Sequence, residues 1–131
     1  MVNAPLVMEG ALGRQVIAEF WGCRPEALSN REEILEIARR AAKALKAEVR
    51  GEAAHFFEPW GLTVLLLLSK SHIAIHTWPE YGYVALDIFF CGEEEDPWEA
   101  YRELKGYFRP KRHSLLLLAR GLIDAAAGQG A

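Results

Sequence analysis

Apolar residues recur at two different spacings along the chain, and the spacing separates predicted helices from predicted strands. The first predicted helix begins after Asn30, which is its N-cap if Glu33 occupies the capping-box position. Its apolar residues follow helical spacing toward a sheet: Ile34, Ile37, Ala38, Ala41 and Leu45. The second helix is predicted from Pro97, capped by Asp96. Its inward stripe consists of Trp98, Tyr101 and either Leu104 or Lys105.

Six segments have the length and residue content of β-strands. They are residues 14–21, 47–58, 63–69, 72–78, 83–91 and 112–119. Residues 63–69 are nearly all apolar, which predicts a strand buried on both faces. Strand parity places His72 and His76 on one face and Ser71 on the other. If Ser71 and His76 act together, the backbone must therefore turn or bulge near Ser71.

The order of these elements predicts the fold class. One strand, a helix, four strands, a helix and a last strand favour an antiparallel sheet with both helices on one face. This is an α+β two-layer sandwich. A length of 131 residues supports one domain over residues 1–131, and no internal repeat is present. Residues 1–12 and 120–131 carry little pattern and are expected to be loose.

Composition and charge exclude several classes of function. A hydrophobic content of 51% with 25% charged residues is ordinary for a soluble globular protein. The net charge of −3, without a basic stripe, predicts no nucleic-acid partner. The apolar run 62–68 is too short to span a bilayer, so no membrane association is expected. Without a signal-peptide pattern, the chain is expected in the cytoplasm, with Cys23 and Cys91 reduced.

Side chains able to do chemistry crowd into residues 69–92. Residues 71–83 read SHIAIHTWPEYGY, and Asp87 and Cys91 follow. His72, His76 and Cys91 could be three zinc ligands. However, no fourth ligand is evident, and His-x-x-x-His on a strand is a poor zinc signature, so no metal is predicted. Taken one at a time, a strand serine, a buried thiol and a turn glutamate are more often structural than catalytic.

The motif as a whole resembles the signature of the S-adenosylmethionine decarboxylases, in particular their short prokaryotic branch. A looser similarity extends from Gly13 to about Leu118. The resemblance implies an enzyme that makes its own covalent cofactor, a pyruvoyl group, by autocatalytic cleavage between residues 70 and 71. The products would be a β chain of residues 1–70 and an α chain of residues 71–131, which stay associated.

The resemblance also implies a role for each matching residue. Ser71 would attack the carbonyl carbon of Lys70 and then become the pyruvoyl group, which captures the substrate amine as a Schiff base. Cys91 matches the proton donor that follows decarboxylation. His76 matches the processing histidine, and Thr63 matches an auxiliary processing hydroxyl. Threonine at 63 replaces the usual serine, and Lys70 replaces the glutamate of many short-branch members.

Two further residues match substrate contacts of the family. Glu80 corresponds to a glutamate that grips the ribose hydroxyls of S-adenosylmethionine. Phe57 corresponds by loose alignment to an aromatic residue that stacks on adenine, although a core aromatic is the simpler interpretation. The resemblance implies a homodimer of processed pairs, with the site near the protomer interface. The product would supply spermidine and polyamine synthesis.

Two alternatives stay open. The first is a pyruvoyl-dependent arginine or ornithine decarboxylase on the same scaffold. Residues 80–83 look like the S-adenosylmethionine version, because the archaeal arginine branch tends to have a bulkier basic residue at the Gly82 position. The second is an unprocessed, non-catalytic binding or regulatory homologue.

Overall fold

The computed structural model describes residues 10–92 and 97–122. Within these ranges the chain forms six strands and three α-helices, with a short 3₁₀ turn at Pro79–Tyr81. In chain order they are β1 (Ala11–Trp21), α1 (Pro25–Leu28), α2 (Arg31–Ala44), β2 (Val49–Phe56), β3 (Leu62–Leu68), β4 (Ser71–Trp78), β5 (Tyr83–Phe90), α3 (Pro97–Phe108) and β6 (Arg112–Leu122).

The strands form one antiparallel sheet in the order β2-β3-β4-β5-β1-β6. Helices α2 and α3 pack on each other, and their apolar sides lie against one face of this sheet. The core between the two layers includes Val16, Phe20, Ile34, Ala38, Val64, Ile75, Tyr101, Leu104 and Phe108. The predicted α+β two-layer sandwich is confirmed.

The predicted helix boundaries agree with the structure where it describes them. The Asn30 side chain accepts a hydrogen bond from the Glu33 N–H at 3.0 Å, as an N-cap does. Helix α3 begins at Pro97, and its predicted cap Asp96 lies outside the described residues. Leu104 faces the core, whereas Lys105 is only partly buried.

Strand β3 corrects one prediction, because it is not buried on both faces. Its side chains alternate: Leu62, Val64, Leu66 and Leu68 are buried against the helix layer. Leu65 and Leu67 are 44% and 60% exposed. The nearly continuous apolar run is therefore not explained by the core of this chain alone, since the helices cover only one side of the sheet.

Two further expectations are wrong in detail. Residues 11–12 and 120–122 are strand rather than loose chain, because β1 and β6 pair along their whole length from Ala11 opposite Leu122 to Trp21 opposite Arg112. The short helix α1, which Pro25 opens, was not predicted. A single turn offers too few residues for hydrophobic periodicity to reveal.

The sheet face away from the helices is called the open face here. It carries a group of apolar side chains exposed to solvent: Ile17, Leu65, Leu67, Leu116 and Leu118. Strand register places Ile17 beside Leu116 in one cross-strand row, which continues through Asp87 and Ala74 to Leu65. None of the helices within residues 10–92 and 97–122 has the length and apolar content that crossing a membrane requires.

Candidate active site

The tight turn between β3 and β4 contains the predicted cleavage position. Ser69 and Lys70 form the turn, and Ser71 opens β4 with a φ of 139°. A residue other than glycine at such a φ costs roughly 1–3 kcal/mol and persists only where its surroundings hold it. The backbone thus departs from regular strand geometry where strand parity required a turn or bulge.

Cys91 lies beside this turn because β5 runs antiparallel to β4 and ends opposite Ser71, at Phe90. The Cys91 N–H donates a hydrogen bond of 2.8 Å to the carbonyl oxygen of Lys70. The Cys91 side chain is exposed and forms no disulfide. Lys70, Ser71 and Cys91 are called the turn cluster below. The carbonyl group that Ser71 would attack therefore already accepts a hydrogen bond through its oxygen.

Thr63 and His76 meet at the other end of the same two strands. They are opposite each other in the β3–β4 register, and Thr63 Oγ1 lies 3.0 Å from His76 Nδ1. Both side chains are half-buried. A hydroxyl bonded to one imidazole nitrogen fixes the ring orientation and leaves the other nitrogen for proton transfer.

A cleft of about 390 Å³ adjoins this pair. The loop 57–61 forms one wall, and the rest of the lining comes from Leu62, Thr63, His76, Thr77, Trp78 and Glu80. A volume of this order is typical of small-ligand sites. Phe57 is 51% exposed, so it is a cleft residue and not a core aromatic. Thr63, His76, Glu80 and Phe57 are called the cleft cluster.

The two clusters lie at opposite ends of β4. Ser71 and His76 are five positions apart on one strand, which corresponds to about 17 Å at the rise of an extended chain. The structure therefore places Cys91 beside Lys70 and Ser71, and it groups Thr63 with His76, Glu80 and Phe57. It does not bring the two groups together within one chain.

Three residues near these clusters were missed by the sequence interpretation. The ring of His55 lies 4.5 Å from that of Phe57, edge to face, and His55 is opposite Thr63 in the strand register. His55 and Phe57 are two positions apart, a spacing that places both side chains on one face of an extended chain, so the sequence could have indicated His55. Trp60, read only as part of a turn, lines the cleft. Arg14 is buried and donates to the carbonyl oxygen of Gly92, and nothing in its strand sequence indicates this.

Two groups near the cleft end have pKa values raised above their ordinary range. Burial, and then a 2.7 Å hydrogen bond to Glu19, raises the pKa of Tyr83 to about 12. Burial raises the pKa of the Cys23 thiol to about 11. Both groups are therefore protonated at neutral pH. Among residues 10–92 and 97–122, no three His, Cys, Asp or Glu side chains lie together as metal ligands would.

Gly82 follows the 3₁₀ turn that carries Glu80, and its φ is 62°. A Cβ there would lie 3.3 Å from the carbonyl oxygen of Cys23. A side chain at this position would be strained both by the backbone conformation and by the close approach. The bulkier basic residue of the arginine branch therefore does not fit this turn as it is built.

Comparison with known proteins places this chain and its fold in one family. Residues 14–121 match the family model described as S-adenosylmethionine decarboxylase. The "S-adenosylmethionine decarboxylase proenzyme" of Caldicellulosiruptor saccharolyticus is 44% identical over 87% of this chain and 92% of that protein. The equally named protein of Moorella thermoacetica is 43% identical over 87% of this chain and 91% of its own length.

A solved structure agrees with the sequence comparisons. The adenosylmethionine decarboxylase of Aquifex aeolicus superposes with a TM-score of 0.82 at 30% identity, covering 88% of this chain and 95% of that one. Both the sequence matches and the structural match extend over nearly the whole described chain. The chain therefore belongs to the S-adenosylmethionine decarboxylase family of enzymes.

Proposed function

We propose that this chain cleaves itself between Lys70 and Ser71 and then decarboxylates S-adenosylmethionine. One observation carries the proposal: the carbonyl of Lys70 accepts the Cys91 N–H at 2.8 Å, next to a Ser71 held at a φ of 139°. A polarised carbonyl beside a strained serine suits an attack of the serine hydroxyl on its own peptide bond. The hydrogen bond continues the β4–β5 pairing, whereas the φ of Ser71 is a feature that strand pairing alone does not require.

The proposed cleavage begins at Ser71. Its Oγ bonds to the carbonyl carbon of Lys70, the bond from that carbon to the Ser71 nitrogen breaks, and the hydroxyl proton ends on that nitrogen. The amide becomes an ester. Loss of the Ser71 α-proton then expels the Lys70 carboxylate and leaves dehydroalanine. Its imine tautomer takes up water and releases ammonia, which leaves a ketone at the start of chain 71–131.

The Cys91 N–H stabilises the first of these steps. As Ser71 adds to the carbonyl, negative charge grows on the Lys70 oxygen. A donor already in place on this oxygen strengthens as the charge develops, and a single donor of this kind contributes about 10²- to 10³-fold in rate. Because the donor is a backbone group, it does not depend on the identity of the side chain at position 91.

Proton removal from Ser71 is assigned to His76, with Thr63 orienting the imidazole. Within one chain these residues lie about 17 Å from Ser71, which is far beyond hydrogen-bonding reach. We therefore propose that the His76 acting on each Ser71 comes from the second protomer of a homodimer. The chain would carry both halves of the site and complete neither alone.

The open face is the surface that suits this dimer. Its exposed Ile17, Leu65, Leu67, Leu116 and Leu118 would be covered by the same group on a partner. Two sheets packed face to face lie about 10 Å apart. If the two-fold axis crosses the strands near Ala74, midway along β4, the turn cluster of one protomer faces the cleft cluster of the other.

The cleft supplies the substrate contacts in this proposal. Glu80 presents a carboxylate suited to two vicinal hydroxyls, as the ribose of S-adenosylmethionine offers. Phe57, half exposed at the mouth of the cleft, offers an aromatic face to adenine and to the adjacent sulfonium cation. Gly82 favours this substrate over arginine only through the resemblance: the arginine branch tends to have a bulkier basic residue at this position, and a side chain at residue 82 would be strained in this turn.

Residue 71 fits the group that the family implies. A pyruvoyl group there would bind the substrate amine and accept the electrons released when carbon dioxide leaves. Cys91, exposed and adjacent to residue 71, would return a proton to the substrate carbon. The product would serve spermidine and polyamine synthesis. The cytoplasm suits the proposal, because a proton-donating thiol must remain reduced.

Intact mass spectrometry of the purified protein tests the cleavage. The proposal predicts two fragments that correspond to residues 1–70 and 71–131. The second fragment should begin with a ketone, which substrate and borohydride together label. A single species of full mass, unchanged after long incubation, would support the silent homologue. Carbon dioxide release from labelled S-adenosylmethionine, arginine and ornithine then distinguishes the substrates, and we expect only the first to react.

A further inference from the structure

Arg14 is a buried cation on the helix side of β1. It is 7% exposed, and it pairs with Phe90 in the β1–β5 register. Its guanidinium carbon lies 4.7 Å from the centre of the Phe90 ring, and its Nη2 donates to the Gly92 carbonyl oxygen. A buried guanidinium is costly unless hydrogen bonds satisfy it, so these contacts help to fix the position of the side chain.

The segment that Arg14 holds is the one that carries Cys91. Strand pairing of β5 reaches Phe90 on both sides, opposite Ser71 of β4 and Arg14 of β1. Cys91 and Gly92 lie beyond the last of these pairs. Their backbone is held by the Cys91 N–H on the Lys70 carbonyl and by the guanidinium on the Gly92 carbonyl.

We infer that Arg14 is a positioning residue for self-cleavage, an inference that rests on the proposed function. By fixing the Gly92 carbonyl, the guanidinium restrains the two preceding peptide groups, and the second of these contains the Cys91 N–H. The Cys91 N–H is thereby kept on the Lys70 oxygen. Arg14 does not touch the reacting atoms, and its effect passes through the backbone of residues 91 and 92.

The geometry indicates the size of the effect. A hydrogen bond to a developing oxyanion weakens steeply with length, and a displacement of about 1 Å costs on the order of 100-fold in rate. Without the guanidinium, Cys91 and Gly92 lose one of the two contacts described above, and we expect displacements of this size. Lysine keeps the charge and one donor but lacks the flat fork that stacks on Phe90, so it should preserve only part of the function.

The test compares Arg14→Met and Arg14→Lys with Ile37→Ala, a core truncation in α2 remote from the turn cluster. Self-cleavage is followed by mass spectrometry. We expect cleavage to slow by roughly 10- to 100-fold in Arg14→Met and by less in Arg14→Lys. Ile37→Ala, although destabilised, should cleave at a rate close to that of the unaltered chain.

A second readout does not depend on cleavage. In a Ser71→Ala background the Lys70–Ala peptide stays intact, and amide hydrogen exchange reports the Cys91 N–H directly. We expect this exchange to accelerate by about tenfold or more with Arg14→Met and to stay unchanged with Ile37→Ala. If Arg14→Met does not fold, Arg14→Lys provides both readouts, with smaller changes in the same directions.

Normal cleavage and normal Cys91 exchange in a folded Arg14 variant would overturn the inference. Equal slowing by Ile37→Ala would also overturn it, because the effect would then be general destabilisation. If instead the unaltered chain never cleaves, the proposed function fails, while the exchange measurement still decides whether Arg14 fixes the Cys91 amide.

Discussion

The two ends of β4 are built differently, and neither is sufficient for the proposed chemistry. The turn cluster offers a strained serine and a polarised carbonyl, but it does not contain His76, the proposed proton acceptor. The cleft cluster offers an imidazole oriented by Thr63 and a cavity for a ligand, but it does not contain Ser71, the proposed nucleophile. One chain can therefore carry the parts of a site without assembling them.

The largest expected effect is at the turn. Ser71→Ala should abolish both cleavage and decarboxylation, because no other hydroxyl is attached to that peptide bond. Ser69→Ala is the matched control: Ser69 lies in the same turn, where its Oγ accepts the Glu48 N–H at 3.0 Å. The control should lose about 1 kcal/mol of folding stability but still cleave. Mass spectrometry of both variants after incubation provides the comparison, and cleaved Ser71→Ala would contradict the assignment.

The next effect concerns the surface that is proposed to join the two ends. Leu67→Asp places a charge on the open face, where Leu67 is 60% exposed in the single chain. We expect monomers by analytical ultracentrifugation and a loss of most cleavage, because desolvating an unpaired carboxylate in the interface is unfavourable. Leu12→Asp, equally exposed but on the other side of β1 by parity, should remain dimeric. A monomeric Leu67→Asp variant that cleaves normally would contradict the proposal that cleavage requires a dimer formed through the open face.

Cys91 separates the backbone role from the side-chain role. Cys91→Ala keeps the N–H that bonds the Lys70 carbonyl, so cleavage should proceed within a few-fold of the normal rate. Turnover should fall by about 10²- to 10⁴-fold, the usual contribution of a positioned acid. Alternatively, the intermediate should be protonated at the wrong carbon. Cys23→Ala is the control for loss of a thiol. Normal turnover by Cys91→Ala, measured as carbon dioxide release, would refute its assignment as proton donor.

The smallest effect concerns the buried thiol at Cys23. Its folded-state pKa of about 11 lies above the ordinary value of 9.0. The folded chain therefore holds this proton more tightly than the unfolded chain does. The resulting stability is fully present below pH 9 and is lost as the pH rises toward 11.

Cys23→Ala should therefore show a flatter dependence of folding stability on pH between 9 and 11. The expected difference from the unaltered chain is up to about 2 kcal/mol, measured by urea unfolding at each pH. Other groups that titrate in this range are common to both proteins and cancel. Parallel stability curves would contradict burial of the thiol.

Much of the fold could be predicted from the sequence because its signals are local. The Asn30 cap, the spacing from Ile34 to Leu45 and the Pro97 start each depend on residues within a few positions of one another. The prediction for strand β3 is wrong because its four consecutive leucines look the same whether both faces are covered within the chain or one remains open. The short helix α1 was not predicted, because a single helical turn is too short to show hydrophobic periodicity.

The site could be predicted only in part, and for a related reason. The resemblance named Ser71, His76, Thr63, Cys91 and Glu80, but neither resemblance nor parity indicated that they form two clusters. This separation follows from the β3–β4–β5 register, which depends on pairing between distant residues. Arg14 was missed because its contact with Gly92 joins residues far apart in the chain.

Complementation between two inactive variants tests whether the His76 that acts on each Ser71 comes from the second protomer. Ser71→Ala keeps the cleft cluster, and His76→Ala keeps the turn cluster, so a mixed dimer regains one complete site. When the two chains are expressed together, about half of the His76→Ala chains should pair with the other variant and be cleaved. Each variant alone should remain intact. If the mixture stays uncleaved while the unaltered chain processes itself, the two halves do not meet between protomers and the account is wrong.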